Sequence, residues 1–447
     1  MPAWALTSRP QPPTEATFYL TLGAALGIST YLLTTTLLTP NNNNYNNPSS
    51  KQPPPTIPSP LKTHLPHLTP SEIAALPYPP NLLPGGRDVP TPYGSIRVFE
   101  WGPEHGAKVL LLPGISTPCV ALAALAEALV SRHGCRVMVF DLFGRGYSDA
   151  PAGVRYDARL YVSQVVMVLA SSRLAWMGSG GGDGHAGGFH LVGYSMGGGL
   201  AVAFARYFAG VLRSLVLVAG CGLIREEHVS WKSRVLYSTG VFPEGVLQWF
   251  IRRRLMPRRE EGGGKVTETK MAAEVVEVKD GEAGEHKGSD ASGGKSFDNA
   301  VLLARRPEHT VSTVMEWQLR HHQGFIPAFV SSIRYAPLYE QKEDWCALGQ
   351  LLAARRTTRR SEWDDTAEEL PGLRGGKILL VLGASDPVIV KEETLHDATA
   401  VLGEDGFEAV VLDAGHELVM TKSDEVAAVL ANFWSRLDDE EEWASRD

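Results

Sequence analysis

The chain reads as an α/β protein: a mostly parallel eight-stranded sheet flanked by helices, with a helical cap inserted between strands 6 and 7. Three features of its 447 residues carry that expectation. Short apolar runs alternate with helix-period segments, the pattern of parallel strands joined by crossovers. Some runs, Lys108–Leu112 among them, are continuously apolar, as strands covered on both faces must be. About 155 residues separate the runs at 212–219 and 377–382, far more than a crossover needs, and the surplus predicts the cap.

The elements follow in order. A strand and turn begin near Arg87, and residues 95–101 continue as a second strand. Lys108–Leu112 leads through Pro113-Gly114 into an alanine-rich helix at 118–132 that Gly134 closes. Residues 135–142 form the next strand and 157–170 the next helix, followed by a glycine-rich surface insertion at 178–188. The strand at 189–193 runs into Gly-Tyr-Ser-Met-Gly-Gly, and 198–209 is the small-residue helix leading out. Strands at 212–219, 377–382 and 407–412 complete the sheet. A last helix at 423–434 sets Val426, Val429, Leu430 and Phe433 on one face, which should cover the sheet.

These elements divide the chain. The core comprises 87–221 and 377–447, and the cap 222–376, with helical patterns at 231–256 and 301–352. Residues 258–295, rich in Gly, Glu and Lys and poor in aromatics, read as a disordered insertion within the cap. Residues 16–39 contain no charge and would be long enough as a helix to cross a bilayer core of roughly 30 Å. They predict a single-pass membrane anchor in 1–40, although seven threonines lower its apolarity. No small-x-small cleavage site follows, which disfavours a signal peptide. Residues 41–86, with an asparagine run and clustered prolines, read as a disordered tether. No N-x-S/T sequon with a permitted middle residue occurs, which favours a folded domain on the cytosolic side.

Composition narrows the partners. A net charge of −8 with both signs well mixed gives no basic footprint for nucleic acid. Cys119, Cys135, Cys221 and Cys346 lie far apart without a C-x-x-C pair, so neither a zinc site nor a disulfide framework is expected. They read as ordinary buried thiols. No metal or organic cofactor is implied.

Gly193-Tyr194-Ser195-Met196-Gly197 is the one G-x-S-x-G in the chain, although chance alone would supply on the order of 0.3 matches at this glycine content. Its context carries the weight, because an apolar strand leads in and a small-residue helix leads out. A serine hydroxyl is a poor nucleophile until an imidazole takes its proton. His416 follows the last strand, at the sheet edge where open α/β sheets gather their sites. His190 lies within a strand and reads as a satisfied core histidine. The imidazole needs a carboxylate to fix its tautomer, and Asp386 follows the preceding strand. Asp141 and Asp149 are competitors, but both precede the nucleophile and suit a structural loop better. Two backbone N–H groups must face a tetrahedral oxyanion, which nominates Met196 and Ile115, with Ser116 in place of Ile115 if the loop turns one residue later. Tyr194 receives no role.

With these residues in hand, the chain from about Arg87 onward resembles the α/β-hydrolase superfamily, and more narrowly the lid-bearing branch that includes monoacylglycerol lipases and carbon-carbon-bond hydrolases. Residues 141–149 (Asp-Leu-Phe-Gly-Arg-Gly-Tyr-Ser-Asp) are similar to that family's D-x-x-G-x-G-x-S loop. One departure is Pro113-Gly114, where members commonly carry His-Gly. Serine at the elbow separates the chain from the epoxide hydrolases and haloalkane dehalogenases of this fold, which carry aspartate there. The resemblance implies a serine hydrolase acting on a carboxylic ester, with a lipid-like small molecule as the first substrate expectation. A thioesterase or carbon-carbon-bond hydrolase with the same triad, a non-catalytic ligand-binding or scaffold member of the fold, and a membrane-tethered adaptor acting through 258–295 stay open. In the cap, Trp249, Phe250 and Ile251 beside Arg252, Arg253 and Arg254 form an amphipathic stretch, read as a solvated face or as one that leans on a membrane.

Overall fold

In the computed structural model, which describes residues 56–177, 188–256, 258–259, 266–267, 294–360 and 372–444 together with Gly27, eight strands form one sheet. They are β1 (Gly86–Thr91), β2 (Gly94–Trp101), β3 (Lys108–Leu112), β4 (Arg136–Phe140), β5 (Phe189–Tyr194), β6 (Leu212–Val218), β7 (Ile378–Gly383) and β8 (Phe407–Leu412). Their spatial order is β8-β7-β6-β5-β3-β4-β2-β1. β2 runs antiparallel to both neighbours, β1 and β4, and the other pairings are parallel. The order reverses between β3 and β5, and a crevice opens at the carboxyl ends of strands at such a point.

Burial explains the sequence pattern of each strand. β5 and β7 are buried at every residue and are apolar throughout or nearly so. The edge strands β1 and β8 alternate instead, because one face of each meets solvent. His190, within β5, is satisfied by Ser214 Oγ at 2.8 Å and stacks on Trp434. Burial holds its pKa well below the ordinary histidine value.

Helices α1 (Ala123–His133), α2 (Ala158–Ala170) and α3 (Met196–Phe208) connect the first strands. α1 ends at Gly134, whose φ of 62° is a left-handed C-cap, and α2 begins at Asp157, whose side chain accepts from the Leu160 N–H. Between β6 and β7 lie α4 (Trp231–Tyr237), α5 (Glu244–Leu255), α6 (Gly294–Asn299), α7 (Val311–His321), α8 (Phe325–Tyr335) and α9 (Lys342–Arg360). α10 (Lys391–Leu402), α11 (Leu418–Thr421) and α12 (Ser423–Ala444) complete the chain. α12 packs on α1 over one face of the sheet, with Val426, Leu430 and Phe433 buried; α3 packs with α2 and α9 over the other.

Four expectations change. Residues 56–86, expected within a disordered tether, carry an ordered strap instead. Thr56–Ile57 pairs antiparallel with Ala150–Pro151, and short helices follow at Pro60–Thr63 and Pro70–Ala74. Composition misleads here because a polar clamp joins a few widely spaced apolar anchors: Leu65, Tyr78 and Leu83 are buried in the core, and buried Asp149 accepts from the Ser59 N–H (2.9 Å) and the Ser95 N–H (2.8 Å) and pairs with Lys62 (2.5 Å). α9, expected in the cap, buries Trp345, Leu348 and Leu352 and packs against α3 and α10 of the core. An apolar stripe announces a buried face but does not name the partner. Of the 258–295 insertion, the described residues show Arg258–Arg259 paired antiparallel with Val266–Thr267 and the start of α6. The rest lies outside the described residues, as do 178–187.

The transmembrane expectation is also corrected: no described helix is long and apolar enough to cross a membrane. The predicted anchor in 1–40 and the tether up to residue 55 lie, apart from Gly27, outside the described residues. Cys119, Cys135 and Cys221 are buried free thiols, whereas Cys346 is exposed.

Asp149→Ala should leave the Ser59 and Ser95 N–H groups without their acceptor, a loss of about 2–3 kcal/mol. The expected readouts are a thermal midpoint lowered by about 5 °C and faster tryptic cleavage after Lys62. Unchanged cleavage there would show that Asp149 does not hold the strap.

Candidate active site

The crevice is furnished by three turns at the carboxyl ends of β5, β7 and β8. Ser195 lies directly between β5 and α3 with φ 53° and ψ −124°, a conformation that costs a non-glycine residue on the order of 1–3 kcal/mol. Neighbouring glycines make the turn possible. A Cβ on Gly193 would lie 2.3 Å from the Gly197 carbonyl oxygen, and one on Gly197 would lie 2.3 Å from the Leu112 carbonyl oxygen.

The three distant side chains meet. Ser195 Oγ lies 2.9 Å from His416 Nε2, and His416 Nδ1 lies 2.8 Å from Asp386 Oδ2. The other carboxylate oxygen, Oδ1, accepts from the backbone N–H groups of Val388 (2.8 Å) and Ile389 (2.9 Å), which fixes the plane of a side chain with no solvent exposure. The relay is therefore held at both ends, by strained backbone at the hydroxyl and by a backbone cradle at the carboxylate.

The loop after β3 lies against Ser195: a Cβ on Gly114 would be 3.3 Å from Ser195 Cβ. Ile115 and Ser116 follow on this loop, and Met196 heads α3, where N–H groups have no intrahelical acceptor. The loop carbonyls are gripped from outside. Arg145 Nε donates to the Ile115 carbonyl (3.0 Å), and Gln318 Nε2, from α7, donates to that of Ser116 (2.9 Å). Gln318 Oε1 accepts from the Gly146 N–H (2.8 Å), so one buried amide joins the cap to two site loops. Arg145 is wholly buried and also donates to the Phe143 carbonyl, the Tyr161 hydroxyl and Ser332 Oγ of α8.

Other neighbours were not foreseen. Tyr194 donates its hydroxyl to the His416 carbonyl (2.8 Å), pinning the loop that carries the imidazole. Burial first, then the charges of Asp386 and Glu417, keep this phenol well above its usual pKa, so it stays a donor. The Cys221 thiol stands 3.8 Å from Ser195 Oγ, and burial pushes it up to about 12, so it offers no competing thiolate. Phe297 of α6 covers the imidazole with ring centroids 6.0 Å apart, and Ser296 donates to Glu417 Oε1 (2.7 Å). Only Tyr194 and Arg145 sit inside motifs visible in the sequence; Gln318 and Phe297 lie in cap helices that carry no such signal.

The rival carboxylates are engaged elsewhere. Asp141 accepts from the backbone N–H groups of Tyr147 and Cys119 (2.9 Å each) and from the Tyr78 hydroxyl (3.1 Å), and Asp149 holds the strap. The segment 141–149 is thus a structural floor.

The model of a family described as the alpha/beta hydrolase family matches residues 109–429. A serine hydrolase-like protein of Danio rerio is 30% identical over 140 residues, covering 31% of this chain and 39% of that protein. Among solved structures, an esterase from Exiguobacterium antarcticum is 14% identical over 78% of this chain and 99% of its own, with a TM-score of 0.46. The 2-hydroxy-6-oxo-6-phenylhexa-2,4-dienoate hydrolase of Rhodococcus sp. strain RHA1 is 16% identical over 78% of this chain and 97% of its own, with a TM-score of 0.48.

His322, at the end of α7, makes the seam between cap and site sensitive to acid. Its Nε2–H donates to the Ser148 carbonyl (2.9 Å), and its Nδ1 accepts from the Gly324 N–H (3.1 Å), an arrangement that requires the neutral ring. Burial lowers its pKa from 6.5 to about 4, with Arg145 adding to the shift and Asp149 opposing it. Between those values the unfolded chain binds a proton that the folded one refuses, so stability falls as pH drops from 6.5 toward 4. The contribution is complete above pH 6.5. Urea melts of wild type and His322→Asn across pH 7 to 4 should show a shallower acid loss in the variant; parallel profiles would remove His322 as a source of it.

Proposed function

Because the chain belongs to the α/β-hydrolase family, we propose that it is a serine hydrolase that cleaves carboxylic esters of lipid-like character through Ser195, His416 and Asp386. The observation that carries this reading is the continuous relay from Asp386 Oδ2 through the imidazole to Ser195 Oγ, with separations of 2.8 and 2.9 Å.

The steps follow from that geometry. Ser195 Oγ attacks the ester carbonyl carbon while His416 Nε2 takes the hydroxyl proton, and Asp386 stabilises the imidazolium. The carbonyl oxygen becomes an oxyanion, received by the Met196 N–H and by the Ile115 or Ser116 N–H of the clamped loop. Collapse expels the alcohol, protonated by Nε2, and leaves an acyl group on Ser195. A water then gives its proton to Nε2 and attacks the acyl carbon, and as the bond to Ser195 Oγ breaks the imidazolium returns that proton to Oγ and the carboxylic acid leaves. The apolar surroundings of the hydroxyl, with Cys221 and Phe297 at hand and Ser195 only 6% exposed, favour a hydrocarbon acyl chain over a polar one.

Labelling with a fluorophosphonate should modify wild type and spare Ser195→Ala. A folded wild-type protein that resists the probe would falsify the proposal. Asp386→Asn should lower kcat by about 10⁴-fold, because the wrong imidazole tautomer then faces the serine. A panel of ester, thioester and vinylogous diketone substrates of varied chain length should show fastest turnover on long-chain esters. Faster thioester or diketone cleavage would transfer the triad to those chemistries.

Gln318→Leu tests the loop clamp. It should reduce kcat by about 10- to 100-fold with KM little changed, since the loop N–H matters most when the oxyanion forms. An equal loss in binding and turnover would point to general disruption of the pocket.

A further inference from the structure

The outer face of the cap is apolar where a solvated helix pair would be charged. α4 exposes Trp231 (70%) and Val235; the α4–α5 connection exposes Val241 and Phe242; α5 exposes Val246 (55%), Trp249 (61%) and Phe250. These are seven of the ten large exposed hydrophobic side chains among the described residues, so they form a concentration and not the scatter of single residues normal on protein surfaces. α5 already has a core-facing stripe: it packs on α8 and buries Leu247, Ile251 and Leu255. Val246, Trp249 and Phe250 make a second stripe on its opposite side.

Charge gives this face a direction. Residues 231–256 hold five basic side chains, Lys232, Arg234, Arg252, Arg253 and Arg254, and one acidic, Glu244, in a chain whose net charge is −8. Glu244 is itself paired with Arg334 at 2.6 Å, and Arg234 with Glu226 at 3.7 Å, which leaves Lys232, Arg252 and Arg253 as the charge of this face. Two cations accompany the exposed indoles: the Lys232 ammonium lies 6.0 Å from the Trp231 ring and the Arg253 guanidinium 5.8 Å from that of Trp249. Exposed indoles with Lys232, Arg252 and Arg253 beside them match the interface of a bilayer, where indoles settle at headgroup depth and cations meet phosphates. We propose that this face docks the domain onto an anionic lipid surface, with Trp231, Trp249 and Phe250 entering the interface and Lys232, Arg252 and Arg253 meeting the headgroups. α5 has twelve residues and lies in the interface without spanning it. The inference does not depend on the ester chemistry.

The test uses the full chain and vesicles of phosphatidylcholine with or without phosphatidylserine. Binding should be at least about tenfold tighter with phosphatidylserine present and should fall about fivefold for each arginine neutralised in Arg252→Gln/Arg253→Gln. Brominated acyl chains should quench wild-type tryptophan emission, and Trp231→Phe/Trp249→Phe should lose most of that quenching. Any contribution from other segments is common to both proteins and cancels in the comparison. Equal fractional quenching in the two, or equal binding to neutral and anionic vesicles, overturns the proposal. So does a dimer in sedimentation that Trp249→Ser dissolves, because a second copy would then own the face.

Discussion

The structure depends on how closely α3 can approach the end of β5. The serine sits at φ 53° because the chain must reverse from strand to helix with no space for side chains at Gly193 or Gly197. That strain of on the order of 1–3 kcal/mol is sustained by what surrounds it. β5 is paired on both sides and buried throughout, and the first ten residues of α3 are buried as well. The small side chains of α3 are the price of this proximity. The hydroxyl is thereby presented at the sheet edge, and the two loops carrying His416 and Asp386 need only descend to it.

The cap is joined to this edge by apolar packing, such as Trp317 of α7 on Tyr147, and by a set of buried hydrogen bonds. Gln318 ties α7 to the loops at Ser116 and Gly146, His322 ties its end to Ser148, and Arg145 reaches across to Ser332 on α8. Buried polar groups of this kind fix a single arrangement, because any shift leaves donors or acceptors without partners in a medium of low polarity. The geometry of the loop beside Ser195 is consequently a property of cap and core together.

The core was legible because its signals are local. Continuous apolar runs mark strands buried on two faces, Gly134 marks a helix end, and the elbow glycines mark a turn that tolerates no side chain. Ser195, His416 and Asp386, which lie in succession within hydrogen-bond distance, could be picked out from the order of elements, since each follows the end of a strand. The strap was illegible because its apolar anchors are sparse and its clamp, Asp149, lies ninety residues from Ser59, where composition cannot see it. α9 was misplaced for a related reason: Trp345, Leu348 and Leu352 form an apolar stripe that suits a cap or a core equally well. Gln318 and Phe297 had no visible signal at all, as a glutamine in an amphipathic helix reads as surface until its partners are known.

Arg145 is a cation sealed from water, and its described partners are neutral oxygens: two carbonyls, a phenol and a serine hydroxyl. Pulling Ser332 away would strip one of these from a charge that has no hydration to fall back on, so α8 behaves as a fixed wall. α4 and α5, which bear the exposed Trp231 and Trp249, both pack on α8, so the apolar face they present is mounted on a support that does not give.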